Sequence, residues 1–211
     1  MPIVQLQQGA PEAVGFPQHI INYFNHPTNS PMHARITQNR DAADYDAWQK
    51  EDLAMYLTLN LNPRLEIKTD FAIYTGNPNE VELYAELPRF WDAHVGVHMV
   101  CDPVFAVKLE LEHAGGAAVP GLGPRVRLQQ RILEILHGTA RVDTANMRAG
   151  FKLYYFGITT SRADFTAPAF ANLFAAFPRE RIYWVQVAAA PTPYYLLWWE
   201  MTFNGQAAAA A

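Results

Sequence analysis

The chain has 211 residues, half of them apolar and 13% aromatic, enough for a substantial core and incompatible with global disorder. Charged residues make up 17% and the formal net charge is −4, which argues against a surface built to grip nucleic acid. Cys101 is the sole cysteine, so an internal disulfide framework and a zinc site of several thiolates are both excluded, and a reducing compartment is expected.

Met1-Pro2-Ile3-Val4-Gln5 lacks a basic stretch followed by an apolar one, so no secretory signal is expected. The longest uncharged apolar run, Ile182 to Trp199, is cut by Pro191-Thr192-Pro193 and contains Gln186, which suits a buried hairpin better than a membrane span. No membrane association is therefore expected.

Residues 1–32, punctuated by Gly9, Pro11, Gly15 and Pro17, read as an extended N-terminal arm, with one or two helical turns around Ile20, Ile21, Tyr23 and Phe24 before Pro27. Residues 33–205 read as a single β-rich domain and 206–211 as an alanine tail. A short strand is expected over Ala34 to Gln38, and a loop or short helix over Asn39 to Asp52.

The clearest pattern follows. Leu53, Met55, Leu57, Leu59 and Leu61 alternate with Ala54, Tyr56, Thr58 and Asn60; Leu65, Ile67, Phe71 and Ile73 then alternate with Glu66, Lys68 and Asp70. After Gly76-Asn77-Pro78-Asn79, Val81, Leu83, Ala85 and Leu87 alternate with Glu82, Tyr84 and Glu86. Period-two runs bounded by Pro, Gly and Asn predict three strands of an antiparallel meander with one apolar and one wet face. Simple closure of its turns would set Leu59 against Ile67 and Asp70 against Glu86.

Two more strands are predicted over Val95 to Val100 and Phe105 to Leu111, around Asp102-Pro103. A Gly/Pro-rich loop, Ala114 to Pro124, precedes a helix near 125–137, whose stripe is Leu128, Ile132, Ile135 and Leu136 and whose stop is Gly138. Phe151 to Thr160 is apolar on both parities, as in a strand covered on two sides. A second helix is expected near 166–177, with Thr166 as cap and Pro178 as terminator, and then strands Ile182 to Val187 and Tyr194 to Phe203. The fold class is α+β, mainly antiparallel β: a sandwich or barrel of about eight strands with two helices packed on it.

No catalytic constellation emerges. His94 and His98, four apart in a β-like segment, would stand roughly 13 Å apart, too far to share a metal ion. Gly115-Gly116 and Gly121-Leu122-Gly123 lack the ending and context of a phosphate loop, and no nucleophile elbow is present. Asp102 beside Cys101 would raise the thiol pKa and blunt its reactivity. Arg125, Arg127 and Arg131 make a basic helix entry that reads as a solvated face. No metal and no cofactor are predicted.

The candidate binding residues are Tyr56, Asp70, Tyr74, Tyr84 and Glu86, three tyrosines and two carboxylates expected on one face of the meander. In that register the carboxylates would sit on adjacent strands about 5 Å apart, a spacing suited to sugar chemistry.

Large rings at both parities of the C-terminal strands, from Tyr154, Tyr155 and Phe156 to Trp198 and Trp199, require that the second sheet face be covered, by helices or by another subunit. With an arm, Gly/Pro loops and no catalytic set, the chain reads as a non-enzymatic structural subunit of a large homo-oligomeric assembly. A virion component of the phage tail, neck or capsid kind, made in host cytoplasm, fits that description. Its partners would be copies of itself and other structural subunits, without direct nucleic-acid contact. The alternatives are a cytoplasmic β-sandwich module binding a carbohydrate or small ligand, and a carboxylate-dependent hydrolase using Asp70 and Glu86.

Overall fold

The structure, a computed structural model, describes residues 6–8, 15–26, 42–61, 64–75, 80–90, 99–111, 124–143, 150–159, 170–187 and 194–203. Strand β1 (Leu6–Gln8) precedes helices α1 (Phe16–Asn25) and α2 (Ala42–Asn60). Strands β2 (Glu66–Ala72), β3 (Tyr74–Thr75), β4 (Glu80–Phe90) and β5 (Met99–Leu111) follow, then helix α3 (Pro124–Leu136). The chain continues through β6 (Arg141–Val142), β7 (Phe151–Thr159), α4 (Ala171–Ala176), β8 (Ile182–Val187) and β9 (Tyr194–Phe203).

Seven strands form one sheet in the order β1-β8-β9-β7-β5-β4-β2, and β3 pairs with β6 in a separate two-stranded ribbon. Pairing is mostly antiparallel, but β5 and β7 run parallel, with α3 lying between them in the chain as a parallel crossover requires. β1 also joins β8 in parallel, Leu6 opposite Ile182 and Gln8 opposite Trp184. The α+β, mainly β class holds.

The predicted barrel does not form: β1 and β2 are the two ends of the sheet and do not pair with each other. Along β7, Leu153 and Tyr155 enter one buried cluster while Tyr154 and Phe156 enter the other, and along β9 Leu197 and Trp199 separate likewise from Leu196 and Trp198. A sheet that is apolar on both faces needs a layer on each. Here α1 and α2 cover one face through Phe16, Ile20, Leu53 and Leu57, and α3 and α4 cover the other through Leu128, Ile132 and Leu173. The covering layers are thus helices of the same chain, not a second sheet of comparable size. Rings at both parities are shielded without another subunit.

The predicted first strand of the meander is helix α2. Leu53 and Leu57, four apart, are fully buried, whereas Met55 and Leu59 are 60% and 76% exposed. Residues four apart share a helix face, so a Leu or Met at every second position supplies a helical stripe as readily as a strand face. The predicted pairing of Leu59 with Ile67 consequently does not exist; Ile67 lies opposite Ala85.

Three smaller differences follow from packing. Within the predicted arm, residues 16–25 form a full helix whose Phe16, Ile20, Tyr23 and Phe24 are core residues. β5 is one continuous strand through Pro103, which lies opposite Glu86 at a register shift, where a residue lacking an N–H costs the ladder least. Within the second predicted helix, α4 spans Ala171–Ala176, and the cap proposed at Thr166 lies outside the described residues, as do Ala34 to Gln38, His94, His98, the Ala114–Gly123 loop and the alanine tail.

Edge strand β2 is charged, with Glu66, Lys68 and Asp70, and Asp70 takes φ 52°, a left-handed conformation unusual for a residue with a side chain. Charge and a local kink are the devices that keep an edge from pairing with other chains.

Candidate functional site

The five residues singled out from the sequence fall in different places. Tyr56, on α2, packs its ring 5.2 Å from that of Tyr23 on the α1/α2 side of the sheet. Tyr84 belongs to the opposite cluster, stacked on Phe71 with ring centres 4.0 Å apart. Tyr74, on the small ribbon, reaches the same layer, and its hydroxyl lies 2.7 Å from that of Tyr155. Tyr56 is therefore separated by the sheet from the other two tyrosines.

Asp70 and Glu86 are not neighbours either. Glu86 lies opposite Glu66, and Asp70 is four residues further along β2, roughly 13 Å at strand rise. The register is uniform on both sides of Asp70 but centred on residue 76, two residues earlier than the simple count of the turn places it. Each carboxylate has its own lysine: Lys50 from α2 pairs with Asp70, and Lys68 pairs with Glu86. Glu86 is only 4% exposed, so Lys68 neutralises a carboxylate that would otherwise be costly to bury. The geometry required of two cooperating catalytic carboxylates is absent from this pair.

A third ion pair was not foreseen. Lys108 Nζ lies 2.6 Å from Glu82 Oε1, while Leu109 N–H donates to Glu82 Oε2 at 2.7 Å. Burial raises the Glu82 carboxyl above the usual range, opposed by the Lys108 ammonium and the Leu109 amide. The signal was present in the alternation of β4 and β5, since their polar positions meet once the two strands pair. This half-buried pair links β4 to β5 side by side.

Along one side of the molecule, α2 is fixed to β2 by polar contacts: Lys50 to Asp70, and Thr69 Oγ1 donating to Glu51 Oε1 at 3.2 Å. Tyr23 OH donates to Asp52 Oδ2 at 2.6 Å, tying α1 to α2. Between these anchors Gln49 is fully buried, and neither its amide nitrogen nor its oxygen meets a hydrogen-bond partner.

A surface groove of about 540 Å³ runs between α3 and α4, lined by Val126, Leu133, Glu134, His137, Thr139 and Asn172 among others. None of the five sequence-derived residues reaches it. Glu134 is engaged there by Gln130 and Arg131, at 3.1 and 3.0 Å. Among the described residues no three His, Cys, Asp or Glu side chains gather as a metal site would need. No helix among them is long and apolar enough to cross a membrane.

What the described residues define is an open α+β sheet with helices on both faces. No family model, no curated protein and no solved structure matches the chain.

Proposed function

We propose that the chain is a structural subunit of a homo-oligomeric assembly, in the virion class of tail, neck or capsid components, with copies of itself and other structural subunits as partners. The observation that supports this best is the seating of β1. A three-residue strand at the N-terminal end of the chain adds itself in parallel to β8 at the sheet edge. So short a strand contributes few ladder bonds, and an identical segment from a neighbour can make the same ones. The opposite edge, β2, is guarded by charge and by the kink at Asp70, so strand exchange at β8 gives a directed contact.

Since both sheet faces are covered within the chain, copies meet through edges and helix surfaces. The test is deletion of residues 1–14, ending before Phe16 because Phe16 and Ile20 are buried in the core. Size-exclusion chromatography with light scattering is expected to show a multimer for the full chain and a folded, smaller species for the deletion. A full chain that is monomeric at every concentration tried removes the proposal.

A further inference from the structure

We infer that the end of β8 beyond β1, Val185 to Val187, pairs antiparallel with the same stretch of a second copy about a two-fold axis at Gln186, so that two sheets join edge to edge and the exchange of β1 is reciprocal. This rests on the assembly proposed above and names the surface and the symmetry of its first contact.

β1 lies along only half of β8, opposite Ile182, Tyr183 and Trp184. The strand continues through Val185, Gln186 and Val187, which pair inward with Leu196, Tyr195 and Tyr194 of β9 and, among the described residues, meet no strand on their outer side. A sheet edge of this kind presents backbone N–H and C=O groups as a template for another strand, and Gln186 is exposed, so the edge is reachable. β8 reads Ile-Tyr-Trp-Val-Gln-Val, without a charged residue or a proline, and so lacks the devices that guard an edge.

The other end of the seven-stranded sheet is β2, charged at Glu66, Lys68 and Asp70 and kinked at Asp70, which disfavours a head-to-tail join of β2 to β8. An edge-to-edge contact between copies is then β8 against β8, which is isologous. A side chain on the axis meets its own copy: a charged one would repel itself, whereas the Gln186 amide both donates and accepts. Centring on Gln186 sets the second β8 beside residues 185–187 and leaves residues 182–184 to β1, so the two occupy one lane end to end. Six residues, 9–14, separate Gln8 from Gly15 and span at most about 25 Å. They lead into α1, which is anchored through buried Phe16 and Ile20 and packs beside β8. Each tether therefore starts next to the shared edge; when one reaches the second copy, symmetry lets the other return, and exchange closes a pair rather than an open chain.

The test uses the full chain in a Cys101→Ser background. Residues directly opposite in an antiparallel pair have Cα atoms about 4.5–5.5 Å apart, within disulfide range, so mild oxidation of Gln186→Cys protein is expected to give a 186–186 linked dimer. Ala175→Cys, exposed on α4, is the collision control and is expected to link far less. In material that light scattering shows to be assembled, absence of the 186–186 link, or equal linking in the control, overturns the inference. Independently, Gln186→Lys sets like charges against each other on the axis and is expected to raise the concentration at half-assembly about tenfold or more with an unchanged circular dichroism spectrum; an unchanged midpoint counts against the pairing. If removing residues 1–14 dissolves the assembly while the 186–186 link never forms, strand exchange stands and this pairing falls. A full chain that is always monomeric removes both.

Discussion

The hydroxyls of Tyr74 and Tyr155 lie 2.7 Å apart, joining the β3–β6 ribbon to the central strand of the main sheet across 81 residues of sequence. Burial pushes the Tyr155 phenol far above its ordinary range, the neighbouring Tyr74 adding to the effect, and burial pushes Tyr74 up to about 12 against the opposing hydrogen bond from Tyr155. Unfolded tyrosines ionise near pH 10.

The sign of the pH dependence follows. A folded-state pKa raised above the unfolded one stabilises fully below pH 10 and loses that contribution as the pH climbs toward the folded value. Between pH 10 and 12, Tyr155 should make unfolding easier by about 1.4 kcal/mol per pH unit. Urea titrations across pH 8 to 12 should show stability falling in the parent chain, where burial also raises Tyr74 and Tyr154, and falling less steeply in Tyr155→Phe. At neutral pH the same substitution should cost about 1 kcal/mol through the lost hydrogen bond. Parallel slopes for the two proteins would show that Tyr155 is not buried as described.

Leu53 and Leu59 give a direct contrast for the helix that replaces the predicted strand. Leu53 is fully buried and Leu59 is 76% exposed, although a strand would place them on one face. Leu53→Ala should destabilise by about 2–5 kcal/mol, and Leu59→Ala in the dissociated protein by no more than about 0.5 kcal/mol. Equal losses in equilibrium denaturation would restore the strand.

Gly157 on β7 faces Leu128 of α3 at close range. A β-carbon there would stand 3.2 Å from Leu128 Cδ2 and 3.8 Å from Leu197 Cβ, both residues being fully buried. Gly157→Ala should therefore cost about 1–3 kcal/mol by overpacking. Combined with Leu128→Ala, which opens the space, it should cost less than the sum of the two single changes. Strict additivity in a double-mutant cycle would mean that the helix sits further away.

Gln49 occupies a core position with its amide unpartnered. Replacing it by an apolar side chain of similar length removes a desolvated polar group without opening a cavity, so Gln49→Met should be neutral or stabilising by up to about 2 kcal/mol. A thermal melt lowered by Gln49→Met would show that the amide has a role that the chain alone does not explain.

Local pattern by itself determined the strands β2, β4, β7, β8 and β9 and the helix α3. In each, the spacing of apolar residues admits one solution: alternation with charges at Glu66 and Lys68, rings at both parities in 151–159, and the stripe of Leu128 and Ile132. The stretch 53–61 admits two, because Leu53, Leu57 and Leu61 satisfy both period two and i, i+4. Its composition of Leu, Met and Ala, with Thr58 as its one β-branched residue, was the available sign of helix. Only tertiary structure decided the rest. The parallel joining of β5 to β7 and of β1 to β8 depends on residues far apart in the chain, as does the coverage of both faces by helices. The separation of Asp70 from Glu86 hinges on where the β2–β4 pairing is centred, which no hydrophobic period encodes. Periodicity reports which side of an element is apolar; which neighbour covers that side is fixed by contacts between distant segments, and those contacts scattered the five candidate residues across the fold.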